Sequence, residues 1–269
     1  MKGVLKGVGY FAYYVVVTLI IQFTVSFGFV AIGSNMGITD EQELLQFTNS
    51  NFLITTGVSG WLVALFMIVI IKANNPELKK EIKLVKLKAI DVIKACVITV
   101  PFAFAFYLIT YSLEFKSNTQ MITSLRHYYD INPALGILLL VLCFVVIPPA
   151  SEEIALRGIV YTRIEKDTKP IVAIGVSALL FGLMHCISDG MTMVVGTFFL
   201  GIVLGFIFYK FKSLMVCIIA NMATKIPNVV FVKHPELTTG VRIAIISLCI
   251  VIFAAGMLWI LKDKNKDNI

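Results

Sequence analysis

The chain has 269 residues, of which 58% are hydrophobic and only 14% charged, with a mean hydropathy of +0.91. Soluble domains carry about 45–50% apolar and about 25% charged residues, so an ordinary soluble domain is excluded and a multi-pass membrane protein is indicated. The formal charge of +7 does not indicate nucleic acid, because the lysines cluster between apolar runs, as loops on the cytoplasmic side of a membrane do.

A spanning helix needs about 20 mostly apolar residues. Taken in chain order, the candidate spans are 8–32, 52–71, 92–113, 134–149, 171–187, 191–209, 214–232 and 241–261. The first follows Lys2 and Lys6 and is too long for the apolar region of a signal peptide, which predicts a retained span. The fourth is short and is expected to run on through Pro148 and Pro149 into Glu152–Gly158, with Pro148 kinking it. The expected fold is therefore all-α, with eight transmembrane helices. It divides into residues 1–133 (the first three spans and their loops), a core at 134–232, and a last span with its tail at 233–269.

Orientation follows from the basic residues. Lys2, Lys6, the lysines from Lys72 to Lys94, Arg157, Arg163, Lys166, Lys169, Lys210, Lys212 and the tail lysines fall on one side of the eight spans. Only Lys116, Arg126, Lys233 and Arg242 fall on the other, so both termini are expected in the cytoplasm. The basic stretch from Asn74 to Lys88 is compatible with a helix on an anionic inner leaflet and equally with a solvated connector. The tail from Lys262 reads as disordered. All five cysteines lie in apolar runs without C-x-x-C spacing and read as small core hydrophobes.

Ionisable groups inside spans cost about 2.5–3.5 kcal/mol each on insertion scales and mark sites. Glu153 and Arg157 stand four apart, on one helix face. Glu152 is turned about 100° from Glu153 and faces other neighbours. Phe181 and His185 stand four apart on the fifth span, and Asn221 and Lys225 four apart on the seventh, just ahead of Pro227. Polar residues on three helices suggest a polar cavity within the membrane, where a carboxylate beside a neutral histidine is a base for activating water.

Three stretches, EEIALRG (Glu152–Gly158), FGLMH (Phe181–His185) and FFLGIVLGFIFYKFKSL (Phe198–Leu214), resemble the CAAX-protease and bacteriocin-processing family, also called CPBP or Abi. The resemblance covers about 134–232 and implies an eight-helix intramembrane endopeptidase. It implies that Glu152 and His185 activate the attacking water and that Glu153 and Arg157 support them. The family's third motif, H-x-x-x-N or H-x-x-x-D, supplies groups that stabilise the oxyanion. Here that motif reads Asn221-Met222-Ala223-Thr224-Lys225. Asn221 and Lys225 are then the candidate oxyanion donors. A metal-dependent site would need three protein ligands. Glu152 and His185 are present and the third-motif imidazole is not, while His127 and His234 fall at the outer ends of spans, so the cofactor stays open.

Two functions remain open on these residues. One is a peptidase acting on membrane-associated or small secreted peptides. The other is a catalytically degenerate homologue that uses the same cavity to hold a peptide or a partner's spans, in self-immunity or sensor control. The partners expected are the bilayer and a peptide or membrane protein, not nucleic acid. Other membrane chemistries fit less well. The zinc motif H-E-x-x-H is absent, Gly57-Val58-Ser59-Gly60 reads as helix packing rather than a serine-protease motif, and the halves of the chain show no transporter-like repeat. Gly201 and Gly205 form a G-x-x-x-G that predicts close helix packing.

Overall fold

The computed structural model describes residues 2–74, 87–112, 119–189, 191–231 and 237–262. Most of the basic stretch before Lys88, Lys116, His234 and the tail after Lys262 lie outside them. Among the described residues every regular element is a helix. In chain order the helices are α1 (Lys2–Asn35), α2 (Glu41–Ser50), α3 (Phe52–Asn74), α4 (Ala89–Ser112), α5 (Thr119–Ile131), α6 (Pro133–Asp167), α7 (Pro170–Asp189), α8 (Met191–Phe211), α9 (Leu214–Ala223), α10 (Ile226–Val230) and α11 (Thr239–Lys262).

Over the described residues seven of the eight apolar runs each lie on one helix, and the seventh in order, 214–232, is divided between α9 and α10. Six helices are long and apolar enough to cross a membrane: α1, α3, α4, α6, α8 and α11. The stretches Pro170–Cys186 and Leu214–Val230 are apolar but shorter. With many large apolar side chains of α1, α3 and α11 exposed, where only lipid suits them, the chain is an integral membrane protein.

The fourth run does continue through the proline pair. Residues Pro133–Asp167 make one helix of 35 residues. It contains two wide π stretches, Val141–Val146 and Ile154–Tyr161. The first ends beside Pro148, where a backbone donor is missing, and the Ile147 N–H reaches back five residues to the Leu142 carbonyl. A π stretch is rare and often lies at a functional site. Here the second one carries Arg157.

The chain falls into two compact units. One takes in described residues between Ala12 and Asn75 and between Lys116 and Glu152. In it Gly57 of α3 admits Cys143 of α6 so closely that any Cβ would strike the thiol, and Gly60 lets Ile147 approach. A hydrogen-bonded hub joins the α2–α3 corner to α5. The Tyr128 hydroxyl donates to Asn51 Oδ1 at 2.6 Å, Ser124 Oγ donates to the Ser50 carbonyl at 2.7 Å, and the Leu53 N–H donates to Ser124 Oγ at 3.1 Å. Asp40 caps α2 by accepting from the N–H groups of Gln42 and Glu43. Asn132 caps α6 by accepting from Ala134 and Leu135.

Burial, with the Cys143 thiol as a lesser cause, pushes the Tyr128 phenol up. A raised phenol stays a neutral donor through the ordinary tyrosine range, and its share of stability is lost only as pH climbs through the raised value. Tyr128→Phe is expected to cost about 1 kcal/mol by leaving the buried Asn51 oxygen without its donor. Unfolding of the variant in mixed micelles measures it.

The other unit takes in described residues between Met1 and Phe11, Pro76 and Phe115, and Glu153 and Ile269. Its centre is the pair α7 and α8, which run antiparallel at very short range. A Cβ on Gly201 would stand 2.8 Å from Ala178 Cα, one on Gly182 would stand 2.9 Å from the Val194 carbonyl, and one on Gly205 would touch Ile174. The G-x-x-x-G spacing therefore packs as its small residues predict. Helices α4 and α11 pack the same way through Gly256 against Ile98, while Phe102 meets Phe253 and Lys94 lies over the Trp259 ring. At the α8–α9 turn Lys212 has a left-handed φ of 49° and its ammonium bonds Glu165 Oε1 at 2.8 Å. That backbone region favours glycine, and the ion pair to α6 gives this corner a reason to carry lysine.

Candidate active site

The site is built around the second half of α6. Glu153 and Arg157 are both wholly buried, and Arg157 Nη1 donates to Glu153 Oε1 at 2.8 Å. The pair expected from the i,i+4 spacing is made, although the turn between the two residues is partly π. A buried pair persists only with added hydrogen bonds, because desolvating two charges costs several kcal/mol per ion. Two more bonds are present. Arg157 Nη2 donates to the Gly201 carbonyl of α8 at 3.0 Å, and Asn221 Nδ2 of α9 donates to Glu153 Oε1 at 2.9 Å. The guanidinium also lies over the Phe181 ring of α7, 5.1 Å from its centroid. One ion pair thus ties α6 to α7, α8 and α9.

His185 sits one turn beyond Phe181, half-buried. Its Nδ1 lies 3.0 Å from the Phe181 carbonyl, and its ring meets the Phe181 ring edge-on at 4.9 Å. A carbonyl can only accept, so this hydrogen bond places a proton on Nδ1 and turns Nε2 to the remaining contacts of the ring. In a neutral ring that is the tautomer a base or a ligand requires. Glu152 is buried at the preceding position of α6 and belongs to the other compact unit.

The third motif differs from expectation. Asn221 and Lys225 do not share a helix face, because α9 ends at Ala223 and α10 starts at Ile226. The break is closed by short turns, Thr224 N–H to the Asn221 carbonyl and Lys225 N–H to the Met222 carbonyl, both 3.1 Å. Thr224 Oγ1 adds a bond to the Asn221 carbonyl at 2.6 Å. Pro227, which lacks a donor and suits the first turn of a helix, stands just past the break. Asn221 therefore points its amide at Glu153, and half-buried Lys225 lies on the intervening turn.

Residues 134–226 match the family model for Type II CAAX prenyl endopeptidase Rce1-like proteins. This segment is thus similar to the Rce1-like endopeptidases. It contains every one of the residues Glu152, Glu153, Arg157, His185, Asn221 and Lys225. No curated protein and no solved structure matches the chain.

A metal finds little support in the donor set of this segment. Among the described residues no three His, Cys, Asp or Glu side chains come together in a way that would hold an ion. His127 is exposed on α5 against Tyr128. A three-ligand metal therefore does not fit the donors of the described residues. Sequence reasoning passed over Phe181 as more than a motif letter, the Gly201 carbonyl as an acceptor, and Asn221 as a partner of Glu153. The glycine spacing marked where α8 comes close, but no sequence signal tells which backbone oxygen an arginine will take.

Proposed function

We propose that the chain is an intramembrane endopeptidase of eight membrane helices with both termini in the cytoplasm, cleaving membrane-associated or small secreted peptides. The observation that carries this reading is His185. Its Nδ1 is engaged by a backbone carbonyl, which leaves Nε2 as the basic atom in a domain of the CAAX-endopeptidase type. In this reading Glu152 takes a proton from water with His185 as its partner, and the hydroxide adds to the scissile carbonyl. Lys225 and Asn221 donate to the oxyanion. Collapse breaks the C–N bond as the amine leaving group takes the proton. Glu153 and Arg157 hold the second half of α6 to α7, α8 and α9. The family description points to prenylated CAAX-type termini as the first substrates to try.

A degenerate, binding-only homologue is the second reading. It is favoured by one observation: the Asn221 amide is already directed at Glu153, and Lys225 lies past a helix break. It would hold a peptide or a partner's span in self-immunity or sensor control.

The two separate in proteoliposomes with a fluorogenic prenylated peptide and membrane-anchored reporter peptides. Cleavage is expected, falling about 10²–10⁴-fold in Glu152→Ala and His185→Ala at unchanged abundance. Full activity in both variants would sink the hydrolytic reading. Cleavage appearing only in Asn221→His/Lys225→Asn would establish the binding protein instead.

A further inference from the structure

We propose that Phe181 is a positioning residue for His185, and that the buried Glu153–Arg157 pair acts on the imidazole through its ring. Phe181 is 1% exposed, and three contacts converge on it. The Arg157 guanidinium lies over its face at 5.1 Å, and the His185 ring stands against it at 88° and 4.9 Å. Its own carbonyl takes the His185 Nδ1 proton at 3.0 Å. The guanidinium has little freedom to move, since Glu153 Oε1 and the Gly201 carbonyl hold its two terminal nitrogens at 2.8 and 3.0 Å. The path from pair to imidazole is therefore three residues long, and every step is a direct contact.

The ring is needed because the hydrogen bond alone does not fix an imidazole. Rotation about the second side-chain torsion of histidine is broad and roughly two-fold. A half-turn about that bond takes Nδ1 away from the Phe181 carbonyl and exchanges the ring edges. Which nitrogen carries the proton follows from the bond the other one makes. Packing of the Phe181 ring against the imidazole blocks that half-turn. The cation over the Phe181 ring keeps the ring from moving away, a cation–π contact worth about 2 kcal/mol when desolvated. The motif F-x-x-x-H thus joins a clamp to the group it clamps.

The positioning claim rests on the proposed hydrolysis only in treating Nε2 as the working base, so its test has a readout that needs no substrate. The chain has three histidines, which makes selective ¹⁵N-histidine labelling of the whole protein in nanodiscs practical. His127 and His234 are assigned by substitution. Long-range proton–nitrogen correlations then report whether Nδ1 or Nε2 of His185 holds the proton. Wild type is expected to show a single pattern, protonated at Nδ1. Phe181→Leu keeps the backbone carbonyl but loses the ring, and is expected to shift to averaged nitrogen signals. Phe181→Tyr restores the single pattern.

With the fluorogenic prenylated peptide, Phe181→Leu is expected to lower kcat about a hundredfold with KM nearly unchanged. Phe181→Met carries the comparison where Phe181→Leu does not fold. A wild-type His185 protonated at Nε2, or a folded Phe181→Leu or Phe181→Met chain that keeps the wild-type pattern, overturns the proposal. If the pattern shifts as expected in a chain that cleaves nothing, positioning stands and hydrolysis fails.

Discussion

Arg157→Ala is expected to destabilise the fold by about 3–5 kcal/mol, since it leaves the carboxylate of Glu153 buried without its cation. The loss reaches beyond the ion pair. The Gly201 carbonyl loses a charged donor and the face of Phe181 loses its cation. Glu153→Ala should cost a similar amount for the converse reason. The double variant Glu153→Leu/Arg157→Met is the informative one. Replacing a buried pair by apolar residues of similar volume is often neutral or stabilising, so the double should recover most of the loss. Unfolding in mixed micelles, run as a double-mutant cycle, gives the coupling directly. A double variant as unstable as either single one would mean that the bonds to Gly201 and Asn221, rather than the desolvated charges, dominate. The recovered fold should still lose the single His185 pattern, which separates stability from positioning.

Gly201→Val should also be strongly damaging. Its first side-chain carbon would stand 2.8 Å from Ala178 Cα and 3.2 Å from the Ala178 carbonyl, both backbone atoms that cannot turn aside. Overpacking typically costs about 1–3 kcal/mol, and more where backbones must part. Parting α7 from α8 also moves the Gly201 carbonyl off Arg157, so the effects on the two residues should be non-additive. Gly175→Val is the matched control, because a Cβ there meets open space. A Gly201→Val protein with wild-type unfolding in micelles would show that α7 and α8 have room to separate.

Much of the membrane architecture was legible because it is a matter of composition. A span must be long and apolar whatever it packs against, so the apolar runs fall on helices, one of them on two. The Glu153–Arg157 pair was legible for a local reason, four residues on one face. Helix α2 announces itself only through Asp40 and Glu43, a capping pattern within polar sequence. The π stretches of α6 have no counterpart in the apolar pattern, because nearly every residue of 137–147 is apolar and no face stands out. The break between α9 and α10 was missed for a similar reason. Thr224 and Lys225 are acceptable in a helix, and Pro227 marks a boundary without saying on which side it falls. The i,i+4 placement of Asn221 and Lys225 failed there. The roles of Phe181 and Gly201 depend on residues 24 and 44 positions away in sequence from Arg157, and spacing within one helix carries no information about those.

The same break bears on where water meets this protein. From Ser213, α9 runs ten residues, about 15 Å, or half the thickness of a hydrocarbon core. At such depth, backbone outside a regular helix persists only where protein covers it or a hydrated space adjoins it. Thr224 is buried and its hydroxyl is turned back on the Asn221 carbonyl, whereas Lys225 next to it is half-exposed. Covering is therefore one-sided, with the more exposed Lys225 and Ile226 on the open side. Amide exchange in deuterated buffer should consequently begin within this segment at Lys225 and Ile226, ahead of the turns on either side.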